Sequence, residues 1–68
     1  MTTVLVVDDE AALLHALVIN LRARDFKVEA AATGRAALEK VARVRPDIVI
    51  LDLGLPDMDG IEVLAGIR

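Results

Sequence analysis

Three short apolar runs set the frame of this chain: Val4-Leu5-Val6-Val7, residues 26–31, and Ile48-Val49-Ile50-Leu51. Each is too short for a stable helix and is rich in β-branched residues or alternates in polarity, so each reads as a strand. The first is closed by Asp8-Asp9, which are poor strand formers. In the second, Phe26, Val28 and Ala30 alternate with Lys27 and Glu29. The third runs over residues 47–52. Its four successive apolar positions predict burial on both faces, as in a parallel sheet.

Helical periodicity fills the intervals. Over residues 10–24, Leu13, Leu14, Leu17, Val18 and Leu21 follow the spacing of an amphipathic helix, with His15 and Arg22 opposite. Thr33 can cap a second helix through its hydroxyl. Leu38, Val41 and Ala42 form that helix's apolar stripe, Glu39 and Arg43 form an exposed i, i+4 pair, and Pro46 ends it. A loop over residues 53–58 contains Gly54 and Pro56. Asp59 then caps a third helix, with Glu62 placed as in a capping box and Ile61, Leu64 and Ala65 as its apolar residues. The chain stops at Arg68 within that helix. Strands alternating with helices imply an α/β fold, with a doubly wound parallel sheet and right-handed crossovers.

Composition narrows the activities. At 68 residues the chain holds one domain at most, and a domain of this size buries only about 60% of its unfolded surface. Hydrophobic residues make up 56%, enough for a core and too many for a disordered tail. With no cysteine there is no disulfide framework or thiolate metal site. A net charge of −3 and a single aromatic, Phe26, argue against direct binding of nucleic acid. No apolar run approaches the roughly 20 residues that cross a bilayer, and the start lacks the basic region of a secretory signal. The expected location is the cytoplasm.

The acidic residues fall at telling places. Asp8 and Asp9 follow the first strand and Asp52 closes the third. In open α/β sheets, ligands bind beyond the carboxyl ends of strands where the strand order reverses, as between strands 1 and 3 of the order 2-1-3-4-5. If the first and third strands are neighbours, the three carboxylates converge there and repel one another. A hard divalent cation such as Mg²⁺ relieves that repulsion and leaves positions for water and a phosphate oxygen. A carboxylate beside it can act as a nucleophile toward phosphorus. Taken singly, each aspartate is also an ordinary strand terminator or helix cap, and the pattern alone leaves both readings open.

Two segments resemble a known family. Val-Leu-Val-Val-Asp-Asp-Glu at 4–10 resembles the first strand and acidic pair of response-regulator receiver domains. Pro-Asp-Ile-Val-Ile-Leu-Asp-Leu-Gly-Leu-Pro-Asp-Met-Asp-Gly at 46–60 resembles their phosphorylation segment. The spacing between the blocks agrees, and the second is similar to winged-helix transcriptional regulators of the OmpR/PhoB type, among them regulators of potassium-transport operons. The resemblance implies a flavodoxin-like (CheY-like) fold with strand order 2-1-3. It implies Asp52 as phosphoacceptor, and Asp8 and Asp9 as the pair that positions Mg²⁺, one directly and the other directly or through water. It also implies the backbone carbonyl of Gly54 as a further ligand, with Pro56 and Gly60 shaping the loop. The implied partners are a sensor histidine kinase and, only through an effector domain not in this sequence, DNA.

A whole receiver is roughly 120 residues long, a common domain size, with five strands and five helices. Residues 1–68 correspond to its first strand through third helix, without the family's hydroxyl residue after the fourth strand and lysine after the fifth. Lys27, opening the second strand, and Lys40, on the second helix, read as solvated charges rather than replacements. His15 reads as a surface histidine and Met58 as loop packing. Gly34 and Gly54 fit neither the dinucleotide fingerprint nor the P-loop. A phosphoacceptor switch, not itself an enzyme, is the leading expectation. A non-switching self-association module is the alternative, joined as a dimer or larger through an exposed third-strand edge. A Mg²⁺-dependent phosphohydrolase ranks last, because no separate general acid is evident.

Overall fold

A computed structural model describes residues 1–52 and 54–67. Leu53, where the expected loop begins, and Arg68 lie outside the described residues. The elements run β1 (Thr3–Val7), α1 (Ala11–Ala23), β2 (Lys27–Ala31), α2 (Gly34–Val44), β3 (Ile48–Leu51) and α3 (Gly60–Ile67). The strands form one parallel sheet in the order β2-β1-β3, the order that the resemblance implies.

β1 is the centre of the sheet and all four of its apolar residues are buried. The strand's period of two sends them to opposite faces. Val4 and Val6 join Val28 beneath Leu14, Leu17, Val18, Leu21 and Phe26. Leu5 and Val7 join Ala31, Ala37, Leu55 and Val63 on the other face, with Leu38, Val41, Val49, Leu51 and Ile67 packed around them. Helix α1 therefore covers one face and α2 with α3 the other. Each fully buried aliphatic side chain contributes about 1.5–3 kcal/mol.

Local signals end the helices. The amides of Asp25 and Phe26 donate to the carbonyls of Arg22 and Leu21, with Asp25 in the left-handed region at φ 66°. That is a Schellman ending, in which Phe26 and Leu21 pack on the same cluster. Thr33 caps α2 as expected, its hydroxyl accepting from the Ala36 amide at 3.1 Å. Arg45, also left-handed at φ 53°, ends α2 before Pro46. Asp59 caps α3 by accepting from the Glu62 amide at 3.0 Å.

Several expected faces differ. Leu13 is exposed: it stands about 100° around the helix from Leu14, and α1 buries only the narrower Leu14-Leu17-Val18-Leu21 stripe. On α2, Ala42 is exposed, and the inner face is Gly34, Ala37, Leu38 and Val41. On α3 the inner residues are Gly60, Val63 and Ile67, while Ile61 (72% exposed), Leu64 and Ala65 point outward. The close approach of α3 to α2 sets this face, because a Cβ at Gly66 would stand only 2.7 Å from Leu38 Cδ2.

β3 is not buried on both faces. Ile48 and Ile50 are exposed, whereas Val49 and Leu51 are half-buried. The reason is that, among the described residues, β3 pairs with β1 alone and α1 covers only the Val4-Val6-Val28 part of its face. Lys40 is not a free surface charge, since its ammonium pairs with Glu29 at 3.1 Å, both side chains partly buried. Glu39 and Arg43 are both exposed, and among the described residues they form no ion pair.

The face reading of α3 is open to test by urea denaturation. Val63→Ala is expected to cost about 2 kcal/mol or more through lost burial and a cavity. Ile61→Ala is expected to change stability by less than about 0.5 kcal/mol. Equal losses would mean that α3 packs with the other face.

Candidate functional site

Because Val7 pairs with Leu51 in register, Asp8 and Asp52 leave the sheet side by side. The Asp52 amide donates to the Val7 carbonyl at 2.9 Å and the Asp8 amide to the Ala31 carbonyl at 3.1 Å. Hydrogen bonding thus continues one residue past the strands and fixes the backbone from which both carboxylates project.

Each carboxylate then steadies the loop that follows it. Asp8 Oδ1 accepts from the Glu10 amide at 2.9 Å, and Asp52 Oδ1 accepts from the Gly54 amide at 3.0 Å. These side-chain-to-backbone bonds across two residues are Asx turns. They orient the side chains while leaving oxygen lone pairs open. Asp9, exposed between Asp8 and Glu10, completes the group.

One carboxylate oxygen from each of Asp8, Asp9 and Asp52 lies within 4.8 Å of the others. Among the described residues, no Lys, Arg or His lies within salt-bridge distance of them. Three like charges at that separation favour a cation between them. Opposite ligands of one Mg²⁺ stand about 4.2 Å apart, twice the metal–oxygen distance. The observed spread is therefore within a small side-chain adjustment, or one bridging water, of a common ion. All-oxygen donors suit a hard cation, so the residues present fit Mg²⁺.

The remaining sequence candidates sort clearly. Gly54 stands beside Asp52 through its amide bond to Oδ1. Pro56 is exposed and Gly60 is buried at the start of α3. His15 is exposed on α1 and lines a shallow apolar groove with Ala11, Leu14, Val18 and Ala30. Lys27 is exposed at the start of β2. Met58 packs against the core.

Sequence reasoning passed over Asp57. Its two oxygens accept from the amides of Gly34 (2.7 Å) and Arg35 (2.9 Å) at the start of α2. Those two bonds, Arg35 first, hold its carboxyl below the usual value of 3.8. The capping pattern gave no signal, because the helix it caps begins 23 residues earlier in the chain.

The chain is similar to known proteins along most or all of its length. The family model described as "Response regulator receiver domain" matches residues 4–68. The chain is 59% identical over 68 residues to the transcriptional regulatory protein KdpE of Mycobacterium tuberculosis, covering 100% of this chain and 30% of that protein. It is 46% identical over 65 residues to the DNA-binding response regulator MtrA of Mycobacterium leprae, covering 96% of this chain and 29% of that one. The chain thus spans less than a third of the curated relatives it matches. The response regulator TrrA of Thermotoga maritima, solved in complex with Mg(2+)-BeF, superposes with a TM-score of 0.93 at 37% identity, covering 100% of this chain and 59% of that one. The chemotaxis protein CheY4 of Vibrio cholerae gives 0.96 at 37% identity, covering 100% and 57%. With its β2-β1-β3 sheet and both motifs in place, the chain belongs to the response regulator receiver domain family of two-component systems.

Proposed function

We infer that Asp52 is the acceptor of a phosphoryl group from a sensor histidine kinase. A Mg²⁺ ion would be held by Asp8, Asp9, Asp52 and the backbone carbonyl of Gly54. The observation that carries this reading is the convergence of the three carboxylates at the carboxyl edge of β1 and β3. The Mg(2+)-BeF bound to the Thermotoga relative supports it. When bound, Mg²⁺ neutralises charge on the carboxylates and on the incoming phosphoryl oxygens.

The chain's own part is nucleophilic. An Asp52 carboxylate oxygen forms a bond to phosphorus as the phosphorus–nitrogen bond to the kinase histidine breaks. The imidazole leaves with the bonding electron pair, and an acyl phosphate remains on Asp52. The Gly54 amide on Oδ1 keeps the carboxylate aimed while the second oxygen attacks. Asp8 is held in the same manner by the Glu10 amide. The protein is then an acceptor and a switch, not an enzyme acting on a separate substrate. Its output to DNA in transcription control would pass through an effector domain outside these residues, in the cytoplasm. Among the described residues, no helix is long and apolar enough to cross a membrane. The hydroxyl and lysine that the family resemblance implies would likewise come from outside residues 1–68, which would make up the first part of the receiver.

A magnesium titration followed by NMR tests the site. Amides at 8–10, 52 and 54 are expected to shift at millimolar Mg²⁺. Asp52→Asn is expected to weaken binding by more than roughly tenfold, the lower bound for groups that merely orient a metal's ligands. Unmoved signals would mean that these carboxylates form no cation site.

A second reading rests on the β3 edge. Among the described residues, β3 pairs on one side only, and it exposes Ile48 and Ile50. An apolar edge with unpaired backbone groups is a template for another chain. The occupant in this reading is a second copy, joined by edge pairing of β3 or by exchange of α3. Light scattering of the isolated 68-residue chain at micromolar concentration is expected to show a dimer or larger. A monomer with a cooperative unfolding transition would overturn the self-association reading.

A further inference from the structure

The segment that follows Asp52 is anchored at both ends, and only one anchor belongs to the acidic group. At its start, Asp52 is bonded into the sheet and its Oδ1 accepts from the Gly54 amide. Leu55 is buried in the core beneath α2 and α3. At the far end, the Asp57 carboxylate binds the first two amides of α2, Gly34 and Arg35. With Thr33 taking the Ala36 amide, the first three N–H groups of α2 are all satisfied. Two of them are satisfied by a residue from the β3–α3 segment. The positive end of the helix dipole adds to the attraction for this anionic side chain. Met58 closes the joint, because a Cβ on Gly34 would collide with its side chain and meet Val63 Cγ2 at 2.9 Å.

We propose that Asp57 is a positioning residue for the cation site: by fixing the 54–57 segment to the start of α2, it holds the Gly54 backbone beside Asp52. This rests on the cation reading given above and adds a residue that does not itself touch the ion. Asp57 lies only five positions after Asp52. Over so short a span, release of the far end would be felt at the Gly54 amide bond to Asp52 Oδ1. If Asp57 instead only caps α2, its loss lowers stability and leaves cation affinity alone.

The test compares Mg²⁺ dissociation constants by NMR in the parent, Asp57→Ala, Asp57→Asn and Val28→Ala. Val28 lies in the core on the α1 face of the sheet, away from the joint, and its truncation supplies a loss of stability without touching the segment. Asp57→Ala is expected to raise the dissociation constant roughly tenfold, the low end of the range for groups that hold a metal's ligands in place. Asp57→Asn keeps one acceptor oxygen and is expected to fall between, so it carries the test if the alanine variant does not fold. Val28→Ala is expected to bind Mg²⁺ as the parent does. Mg²⁺ is further expected to shift the Gly34 and Arg35 amides in the parent and not in Asp57→Ala. Unchanged affinity in both Asp57 variants, or equal weakening in Val28→Ala, would overturn the positioning role while leaving the cation site standing. A parent that binds no Mg²⁺ would overturn the cation reading, and this role with it.

Discussion

The parallel pairing of β1 with both neighbours is the constraint on which the rest depends. It buries Val4, Leu5, Val6 and Val7 on two faces at once. That burial calls for α1 on one side and α2 with α3 on the other. The same pairing sets the level at which the strands end. Val7 and Leu51 are register partners, so the next residue in each strand is delivered to the same edge. A shift of β3 by one residue would turn Val49 and Leu51 away from the Leu5 cluster and carry Asp52 away from Asp8. Hydrophobic register and acidic geometry are therefore one choice.

That choice has an electrostatic cost, because three carboxylates stand together with no basic side chain beside them among the described residues. Backbone amides partly offset it. Glu10 and Gly54 donate to Asp8 and Asp52, and each such bond to an ionised acceptor is stronger than a neutral one. These bonds also preset the side-chain directions, so the proposed cation would find the carboxylates already oriented. The group is thus held by strand ends and short turns.

Much of this was legible in the sequence because it is local. The strands were marked by β-branched runs, the helices by apolar spacing, and the caps Thr33 and Asp59 by residue type just ahead of a periodic stretch. Asp8, Asp9 and Asp52 were legible as acids at strand ends, and their convergence followed from the strand order 2-1-3 that the family resemblance implied. What stayed hidden depends on neighbours across the fold. Ile61 and Leu64 look like a core stripe until Gly66 is seen to dock on Leu38. Ile48 and Ile50 look buried until the helix on their face is seen to stop short of them. Lys40 looks solvated until Glu29 is found beside it, and Asp57 caps a helix that begins 23 residues before it.

The central claim is that Asp52 is a nucleophile made ready by its neighbours. Its most direct test is to incubate the full-length protein containing residues 1–68 with acetyl phosphate, with and without Mg²⁺. The phosphoryl group is then located by mass spectrometry. The account predicts a Mg²⁺-dependent adduct on Asp52 that is lost in Asp52→Asn and in Asp8→Ala. Labelling that persists in Asp52→Asn, that maps to another residue, or that proceeds equally without Mg²⁺ would contradict it.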